Sequence, residues 1–458
     1  MIVMKFGGAA LQNPRSIKKV TYVIKRSLTE NPVVVLSAFG KSTRMLERLF
    51  ELCSKGNLEE TYDIIDNNFL PLSLSLFEGY MSPKYEVDCR KDVIKRIEDL
   101  KSYISSSNRK WNSVDRDHIV SQGELITSRI IYYVLNSEGI KSEWLDARDM
   151  IITDENHRIS QPDFKSSVEL VNQKINSCKK DNKLAITQGF IASTPSGLTT
   201  TLGYEGSDLS ATFIGSCIDA ARVELYKTVP GIMTADPDLV TNSKLVRRIS
   251  YKYVEKLTFL GSKILHKNAI QPSREKDIPL RILNLYEPED SGTLIGGATY
   301  DDLGSEFFVV GHPDGILFSK HVSDVDNVVE SDKIGSIFNE WDITNVPIEN
   351  TLEHMRWYLP DKVSSTEATD QLREIDDITW NKNVSMIGII YNSKSENDLT
   401  QKISNIIAEH RAMVFASSTS SDMIILVISR NQFKQVYHAI HRMQLEHPVA
   451  ALQLRERK

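Results

Sequence analysis

The N-terminal stretch Met1-Ile-Val-Met-Lys-Phe-Gly-Gly-Ala-Ala-Leu-Gln12 indicates the fold class of this chain. Its apolar run from Ile2 to Phe6 predicts a buried strand, and apolar residues at helical spacing follow Gly7-Gly8. A strand that passes through a glycine turn into a helix directs backbone N–H groups and a helix dipole at one point. Lys5 adds a cation of the kind that binds phosphate oxygens. By itself the stretch fits an anion site and an ordinary strand–helix turn equally well.

The composition is that of an ordinary globular protein. The chain has 458 residues, 41% hydrophobic and 25% charged, which is enough for roughly two to three domains. The net charge of −6 provides no basic field for nucleic acid or an anionic membrane. Four widely spaced cysteines argue against structural zinc and a disulfide framework. Without a signal-peptide pattern or a membrane-length apolar run, we expect a cytoplasmic protein with no nucleic acid or membrane partner.

Strand patterns alternate with helical patterns over residues 1–298, and a charged helical insertion interrupts them at about residues 55–115. The predicted strands after the first lie in residues 32–38, 143–149, 184–192, 222–232 and 280–284. This alternation predicts an α/β domain with a doubly wound, mostly parallel sheet in three layers. In such sheets, ligands bind at the carboxyl ends of the strands.

The pattern changes after about residue 299. Residues 383–458 show strand, helix, strand, strand and helix in that order, which is typical of a ferredoxin-like unit. Residues 299–382 show a degenerate version, with two predicted strands at 306–312 and 315–320 and a helix at 325–341. We therefore expect two ferredoxin-like α+β units in the tail.

Two carboxylates precede or begin predicted helices. Asp208 lies in a run of glycines and hydroxyl residues, Thr199 to Ser210, which predicts a second anion-facing turn. Asp208 could orient a lysine, hold a cation or cap the helix. Glu124 follows the predicted helix start near Ser121, where a capping role is equally open.

Taken together, the motifs resemble those of aspartate kinases, a group within the amino-acid kinase family, and they occur in that family's order. The motifs are Lys5-Phe-Gly-Gly8, Val35-Leu-Ser-Ala38 with Gly40 and Thr43, Gly123-Glu124, Gly206-Ser-Asp208, Thr234-Ala-Asp-Pro237 and Gly261-Ser-Lys-Ile-Leu-His266. The tail resembles the paired ACT domains of these enzymes. The resemblance implies phosphorylation of the side-chain carboxylate of aspartate by ATP with Mg²⁺, the first step of lysine, threonine and methionine biosynthesis. It also implies a homodimer formed through the ACT-like tail.

The resemblance further implies a role for each matching residue. Lys5 would neutralise charge on the transferring phosphoryl group, and Asp208 would hold Lys5 in place. The remaining nucleotide-side positions are Gly7, Gly8, Ser37, Lys227, Thr228, Asp236 and Lys263. The acceptor-side positions are Thr43, Glu124, Tyr204 and Ser207, and no protein ligand for a metal is implied.

Several positions depart from the family pattern. Tyr204 replaces an arginine expected to bind the α-carboxylate of the acceptor, a contact typically worth about 1.5–3 kcal/mol. Ala9-Ala10 replace hydroxyl residues, and the nucleotide side is changed at Thr228, Met233 and Asp238. Three interpretations follow: an aspartate kinase, a kinase for an acceptor with a masked α-carboxylate, or a catalytically weak amino-acid sensor.

Overall fold

The computed structural model describes residues 1–106, 110–203, 206–262, 264–265, 267–297, 307–321, 327–340, 343, 345–351, 354–360, 366–375, 377–392 and 396–446. The chain forms two compact units. One comprises Met1–Gly231 and Leu265–Gly297, and the other comprises Ile232–Ile264 and Ala298–Lys458. In the described residues, no helix combines the length and the apolar character needed to cross a membrane.

The first unit is built on a mostly parallel sheet, as predicted. Its strands, numbered in chain order, are β1 (Ile2–Phe6), β2 (Pro32–Leu36), β3 (Ser142–Trp144), β4 (Leu184–Gln188), β7 (Val223–Lys227), β9 (Leu280–Asn284) and β10 (Thr293–Gly296). They lie in the order β3-β4-β2-β1-β7-β9-β10, and β10 runs antiparallel to β9. A separate hairpin pairs β5 (Ile191–Ser193) with β6 (Thr199–Thr201).

Helices connect these strands. They are α1 (Pro14–Arg26), α2 (Ser42–Ser54), α3 (Leu58–Ile64), α4 (Leu70–Ser75), α5 (Pro83–Ser106), α6 (Ser113–Val120), α7 (Gln122–Ser137), α8 (Phe164–Lys180), α9 (Gly206–Cys217) and α11 (Gln271–Glu275). The start of α1 illustrates how the sequence specifies a helix. The Asn13 side chain caps it by accepting from the Ser16 amide at 2.9 Å, and Pro14 occupies its first turn. The apolar face of α1 buries Ile17, Val20, Val23 and Ile24, the positions that predicted this helix.

The second unit contains a six-stranded antiparallel sheet. Its strands are β11 (Phe308–His321), β12 (Val346–Asn350), β13 (His354–Leu359), β14 (Ile378–Ile390), β15 (Val414–Ser420) and β16 (Met423–Ser429), in the order β12-β13-β11-β14-β16-β15. Its helices are α12 (Asn327–Glu340), α13 (Thr366–Arg373), α14 (Glu396–Glu409) and α15 (Phe433–Glu446). Chain order is therefore β-α-β-β-α twice, which confirms two ferredoxin-like units. They share one sheet because β11 pairs with β14.

One expectation about this sheet was wrong. The predicted strands at residues 306–312 and 315–320 form a single strand, β11. Pro313, which lacks a backbone N–H, lies between the two predicted strands, and the pairing of β11 with β14 shifts register between His312 and Leu317. Such an irregularity accommodates a proline inside a strand.

A segment earlier in the chain also packs within this second unit. It contains β8 (Arg248–Ser250) and α10 (Tyr251–Phe259). The Val309 amide donates to the Thr234 carbonyl at 2.9 Å, and Lys252 lies 3.1 Å from Asp422. These contacts join Ile232–Ile264 to the tail sheet.

Candidate active site

The carboxyl ends of β1, β2 and β7 lie side by side because the three strands are parallel neighbours. Two backbone hydrogen bonds connect the loops that follow β1 and β2. The Ser37 amide donates to the Phe6 carbonyl at 3.1 Å, and the Gly40 amide donates to the Gly8 carbonyl at 3.0 Å. The glycine turn predicted to bind phosphate is therefore fixed against the partly exposed Ser37.

Lys5, Asp208 and Lys227 form a cluster at this edge. Lys5 Nζ lies 2.5 Å from Asp208 Oδ1, and Lys227 Nζ lies 3.0 Å from Asp208 Oδ2. Asp208 is fully buried in the first turn of α9, and Lys5 is only 6% exposed. Burial alone would raise the pKa of Asp208, but the charges of Lys227 and Lys5 lower it to about 2. Two ammonium groups share one carboxylate here, which favours an anionic ligand.

Gly8 is required by the close approach of two loops. A Cβ atom at this position would lie 2.7 Å from the Ala38 carbonyl oxygen and 2.9 Å from the Gly40 carbonyl oxygen. Both neighbours are backbone atoms, so a methyl group there would displace the turn.

We therefore expect Gly8→Ala to lower kcat by more than about tenfold, since displacing catalytic groups by about 1 Å can cost 10² in rate. Steady-state rates and a thermal melt would measure the effect. Gly335→Ala is the matched control, because a Cβ there would have no described atom within 4 Å apart from its own helix backbone and chain neighbours. Equal rates for both variants would contradict the prediction.

Glu124 lies in the first turn of α7 with 2% of its surface exposed. Its Oε1 atom accepts from the Ala38 amide at 3.1 Å, in the loop after β2, so it does more than mark the helix start. Within the described part of the chain, Oε2 has no hydrogen-bond partner. Burial raises the pKa of Glu124 to about 8, against the Ala38 amide and the charge of Lys5, which both lower it. A buried carboxylate with one unsatisfied oxygen is suited to bind a cationic group.

Two other predicted acceptor-side residues, Thr43 and Ser207, lie after the β2 loop and at the start of α9. Thr43, partly exposed, is the second residue of α2. The Thr127 hydroxyl on α7 accepts from the Phe39 amide at 3.0 Å and so fixes the loop that leads to α2. Ser207 is buried beside Asp208 and packs against Gly189, where a Cβ would lie 2.7 Å from Ser207 Cβ. Tyr204 lies outside the described residues.

The remaining nucleotide-side residues lie in several places. Thr228 is exposed directly after β7. Asp236 belongs to the second unit, where its Oδ1 atom accepts from the Asp238 amide at 2.9 Å and its own amide donates to Tyr437 Oη at 3.3 Å. Lys263 lies outside the described residues.

Sequence reasoning missed a polar cluster beside the acceptor-side elements, in which the buried Asp117 and Thr201 meet the partly exposed Glu47, Arg116 and His157. Its members come from four separate segments of the chain, and no local pattern marks them as a group.

Comparisons with known proteins agree with this architecture. Residues 1–284 match the model of the amino acid kinase family. Lysine-sensitive aspartokinase 3 of Escherichia coli (strain K12) is 27% identical over 299 residues, covering 65% of this chain and 65% of that protein. A bifunctional aspartokinase/homoserine dehydrogenase of Buchnera aphidicola is 27% identical over 469 residues, covering 96% of this chain and 56% of that protein. The chain thus matches less than two thirds of the length of these curated relatives.

Solved structures show the same fold. The crystal structure of Escherichia coli aspartokinase III in complex with aspartate and ADP has a TM-score of 0.80 to this chain at 21% identity, covering 96% of this chain and 99% of that chain. Aspartate kinase from Clostridium acetobutylicum has a TM-score of 0.72 at 22% identity, covering 96% and 99% of the two chains.

Proposed function

Since this chain belongs to the amino acid kinase family, we propose that it transfers the γ-phosphoryl group of ATP to the side-chain carboxylate of aspartate. The products are 4-phosphoaspartate and ADP. The observation that supports this most is the Lys5–Asp208–Lys227 cluster, at the same sheet edge as the Gly7-Gly8 turn. The similar proteins are aspartokinases, one of them in complex with aspartate and ADP, and this supports the choice of substrates.

The chemistry requires positioning and charge neutralisation. A carboxylate oxygen of the acceptor attacks the γ-phosphorus, and the bond from that phosphorus to the bridging oxygen of ADP breaks. Lys5 stabilises the negative charge on the transferring group, and Asp208 fixes its ammonium group in advance. Lys227 shares this anchor and acts on the nucleotide side. Gly7 and Gly8 allow the backbone to approach the phosphates.

Mg²⁺ would arrive with ATP. Among the described residues, no group of three or more His, Cys, Asp or Glu side chains is arranged to hold a metal ion. Asp208 already pairs with two lysines. Mg²⁺ at nucleotide sites is usually bound largely by phosphate oxygens and water, and it would be held in the same way here.

On the acceptor side, Glu124 binds the α-ammonium group of the substrate through Oε2, which has no hydrogen-bond partner among the described residues. Thr43 and Ser207 contact the rest of the acceptor. The replacement of the family arginine by Tyr204 favours a second candidate acceptor, an aspartate derivative or peptide-like compound whose α-carboxylate is masked. The reaction type is the same for both acceptors.

Trapping the acyl phosphate with hydroxylamine tests the proposal directly. We expect ATP- and Mg²⁺-dependent hydroxamate formation from aspartate. Turnover only with aspartate α-amide or aspartyl peptides would identify the second candidate. Absence of turnover on every acceptor, together with no thermal shift from Mg·ATP, would overturn the kinase proposal in favour of an amino-acid sensor.

Tyr204→Arg tests whether the missing cation limits the use of aspartate. We expect kcat/KM for aspartate to rise about 10–100-fold, because a charge-assisted contact contributes about 1.5–3 kcal/mol. Aspartate α-amide is the control acceptor, since it lacks the α-carboxylate that the arginine would bind. An equal gain for both acceptors, or no gain for aspartate, would contradict the prediction.

We further propose that the tail, residues 299–458, acts as a pair of ACT-like domains and joins two copies of the chain in a homodimer. The repeated β-α-β-β-α order supports this, and light scattering on the purified protein would test it. The four cysteines are free and buried, which supports a cytoplasmic location.

A further inference from the structure

We propose that Asp117 is a positioning residue that fixes the acceptor-binding elements relative to one another through the strand Thr199–Thr201. This inference rests on the proposed function. It concerns the cluster of Glu47, Arg116, Asp117, His157 and Thr201, hereafter the Asp117 cluster.

Asp117 is fully buried, and its carboxylate accepts hydrogen bonds from three segments. Its Oδ1 atom accepts from Arg116 Nη1 and from the Thr201 hydroxyl, both at 2.7 Å. Its Oδ2 atom accepts from His157 Nδ1 at 2.8 Å and from the amides of Arg158 and Thr201 at 3.1 and 3.2 Å. Asp117 therefore joins α6, the loop before α8 and strand β6.

Arg116 extends the cluster to a fourth element. Its Nη1 atom also donates to the Thr201 hydroxyl at 2.8 Å. On the other edge of the guanidinium, Nε donates to Glu47 Oε2 at 3.1 Å and Nη2 donates to Glu47 Oε1. A planar guanidinium that binds a carboxylate with two donors sets both distance and orientation. Helix α2 is thereby fixed to α6 and β6.

Three members of the cluster lie close in sequence to residues on the acceptor side. Glu47 follows Thr43 by four residues, one turn along the same face of α2. Asp117 precedes Glu124 by seven residues, in the adjoining helix pair α6–α7. Thr201 precedes Tyr204 by three residues and Ser207 by six. The cluster thus sets the spacing of the groups that receive the substrate.

The neighbouring residue in β6 provides a comparison. Thr200 is equally buried, but its hydroxyl lies 2.9 Å from the Thr153 hydroxyl and not in the Asp117 cluster. Successive side chains of a strand point to opposite faces. Thr200 and Thr201 are therefore both buried threonines in the same strand. They differ in that the Thr201 side chain contacts Asp117 and the Thr200 side chain contacts Thr153.

The experiment compares Thr201→Val with Thr200→Val in the full chain. We expect Thr201→Val to raise the KM for the acceptor at least fivefold while the KM for ATP changes less than twofold. Thr201→Ser, which keeps the hydroxyl, restores the acceptor KM. Asp117→Asn, which keeps the shape and loses the charge, raises the acceptor KM at least as much as Thr201→Val. Thr200→Val leaves both constants near those of the unchanged protein.

Two outcomes would overturn the inference. One is equal acceptor KM values for Thr201→Val and Thr200→Val with similar losses of melting temperature, which indicates a merely structural role. The other is a rise in the KM for ATP as large as that for the acceptor.

A readout without turnover separates this inference from the proposed function. If the unchanged protein phosphorylates no acceptor, the proposed function fails, and amide hydrogen exchange still tests the cluster. We expect Thr201→Val, but not Thr200→Val, to speed exchange in residues 42–47 and 122–128. Equal exchange in the two variants would overturn the inference.

Discussion

Replacing Lys5 with methionine is expected to lower kcat by about 10²–10³-fold while the chain stays folded. This is the range for removing one preorganised group that stabilises transition-state charge. Methionine fills much of the buried volume of the lysine stem. Asp208 keeps a partner in the variant, because Lys227 Nζ lies 3.0 Å from its second oxygen. Single-turnover and steady-state rates at saturating ATP would measure the loss.

Lys183→Met is the matched control for this variant. Lys183 also pairs with a carboxylate, Glu143 at 2.9 Å, but its side chain is 39% exposed and it precedes the start of β4, at the end of that strand opposite to the carboxyl ends. We expect its kcat to stay within about twofold of the unchanged protein. If the Lys5→Met protein retains more than a tenth of the original kcat, Lys5 does not take part in the chemical step.

The sequence was sufficient to predict the first strand, its glycine turn and the helix after it, because each depends on residues within one short stretch. The pairing of Lys5 with Asp208 was implied by family resemblance and matches the structure at 2.5 Å. The contact of Lys227 with the same carboxylate was not predicted. It depends on β7 lying next to β1, and strand order is set by long-range packing that local patterns do not encode.

The Asp117 cluster is a second case in which contacts between residues distant in sequence could not be predicted from local patterns. Asp117 meets His157 and Thr201 across separations of 40 and 84 residues. Each of these residues looks like an ordinary polar surface residue in its own stretch of sequence. Only the fold reveals that Asp117 and Thr201 are buried together beside His157, and burial of the carboxylate makes its hydrogen bonds obligatory. The single strand β11 was missed for a related reason, since its continuity depends on pairing with β14, which is distant in the sequence.

Through Glu124, acceptor binding is expected to strengthen with rising pH while the stability of the ligand-free protein falls. Glu124→Gln is expected to remove both of these pH dependences. The raised pKa of about 8 means that the buried carboxyl of the free protein is mostly protonated at neutral pH. An ammonium group binds the ionised form, so kcat/KM for the acceptor rises with pH and levels off above about pH 8. Glutamine cannot ionise, so the variant loses this rise and binds the acceptor about 10²-fold more weakly at pH 8.5, a loss of about 3 kcal/mol that is typical of a charged hydrogen bond.

The stability of the ligand-free protein follows the opposite course. The folded state holds the Glu124 proton up to about pH 8, whereas the unfolded chain releases it near the ordinary glutamate pKa of 4.5. Between these values the folded state binds more protons, so the contribution of Glu124 to the free energy of unfolding falls as pH rises through this window. The fall is on the order of a few kcal/mol. It is absent in Glu124→Gln, so the stability of the variant relative to the unchanged protein improves toward pH 8.

Denaturant titrations from pH 5 to pH 9, paired with acceptor kinetics over the same range, measure both effects on the same samples. Glu138→Gln is the control, because Glu138 directly follows the same helix with its side chain 40% exposed and lies 3.8 Å from Lys25. Its curves should follow those of the unchanged protein. If the difference in unfolding free energy between Glu124→Gln and the unchanged protein is constant across this range, Glu124 does not hold its proton in the folded state. In that case proton release cannot accompany acceptor binding, and the kinetic rise toward pH 8 must come from another group.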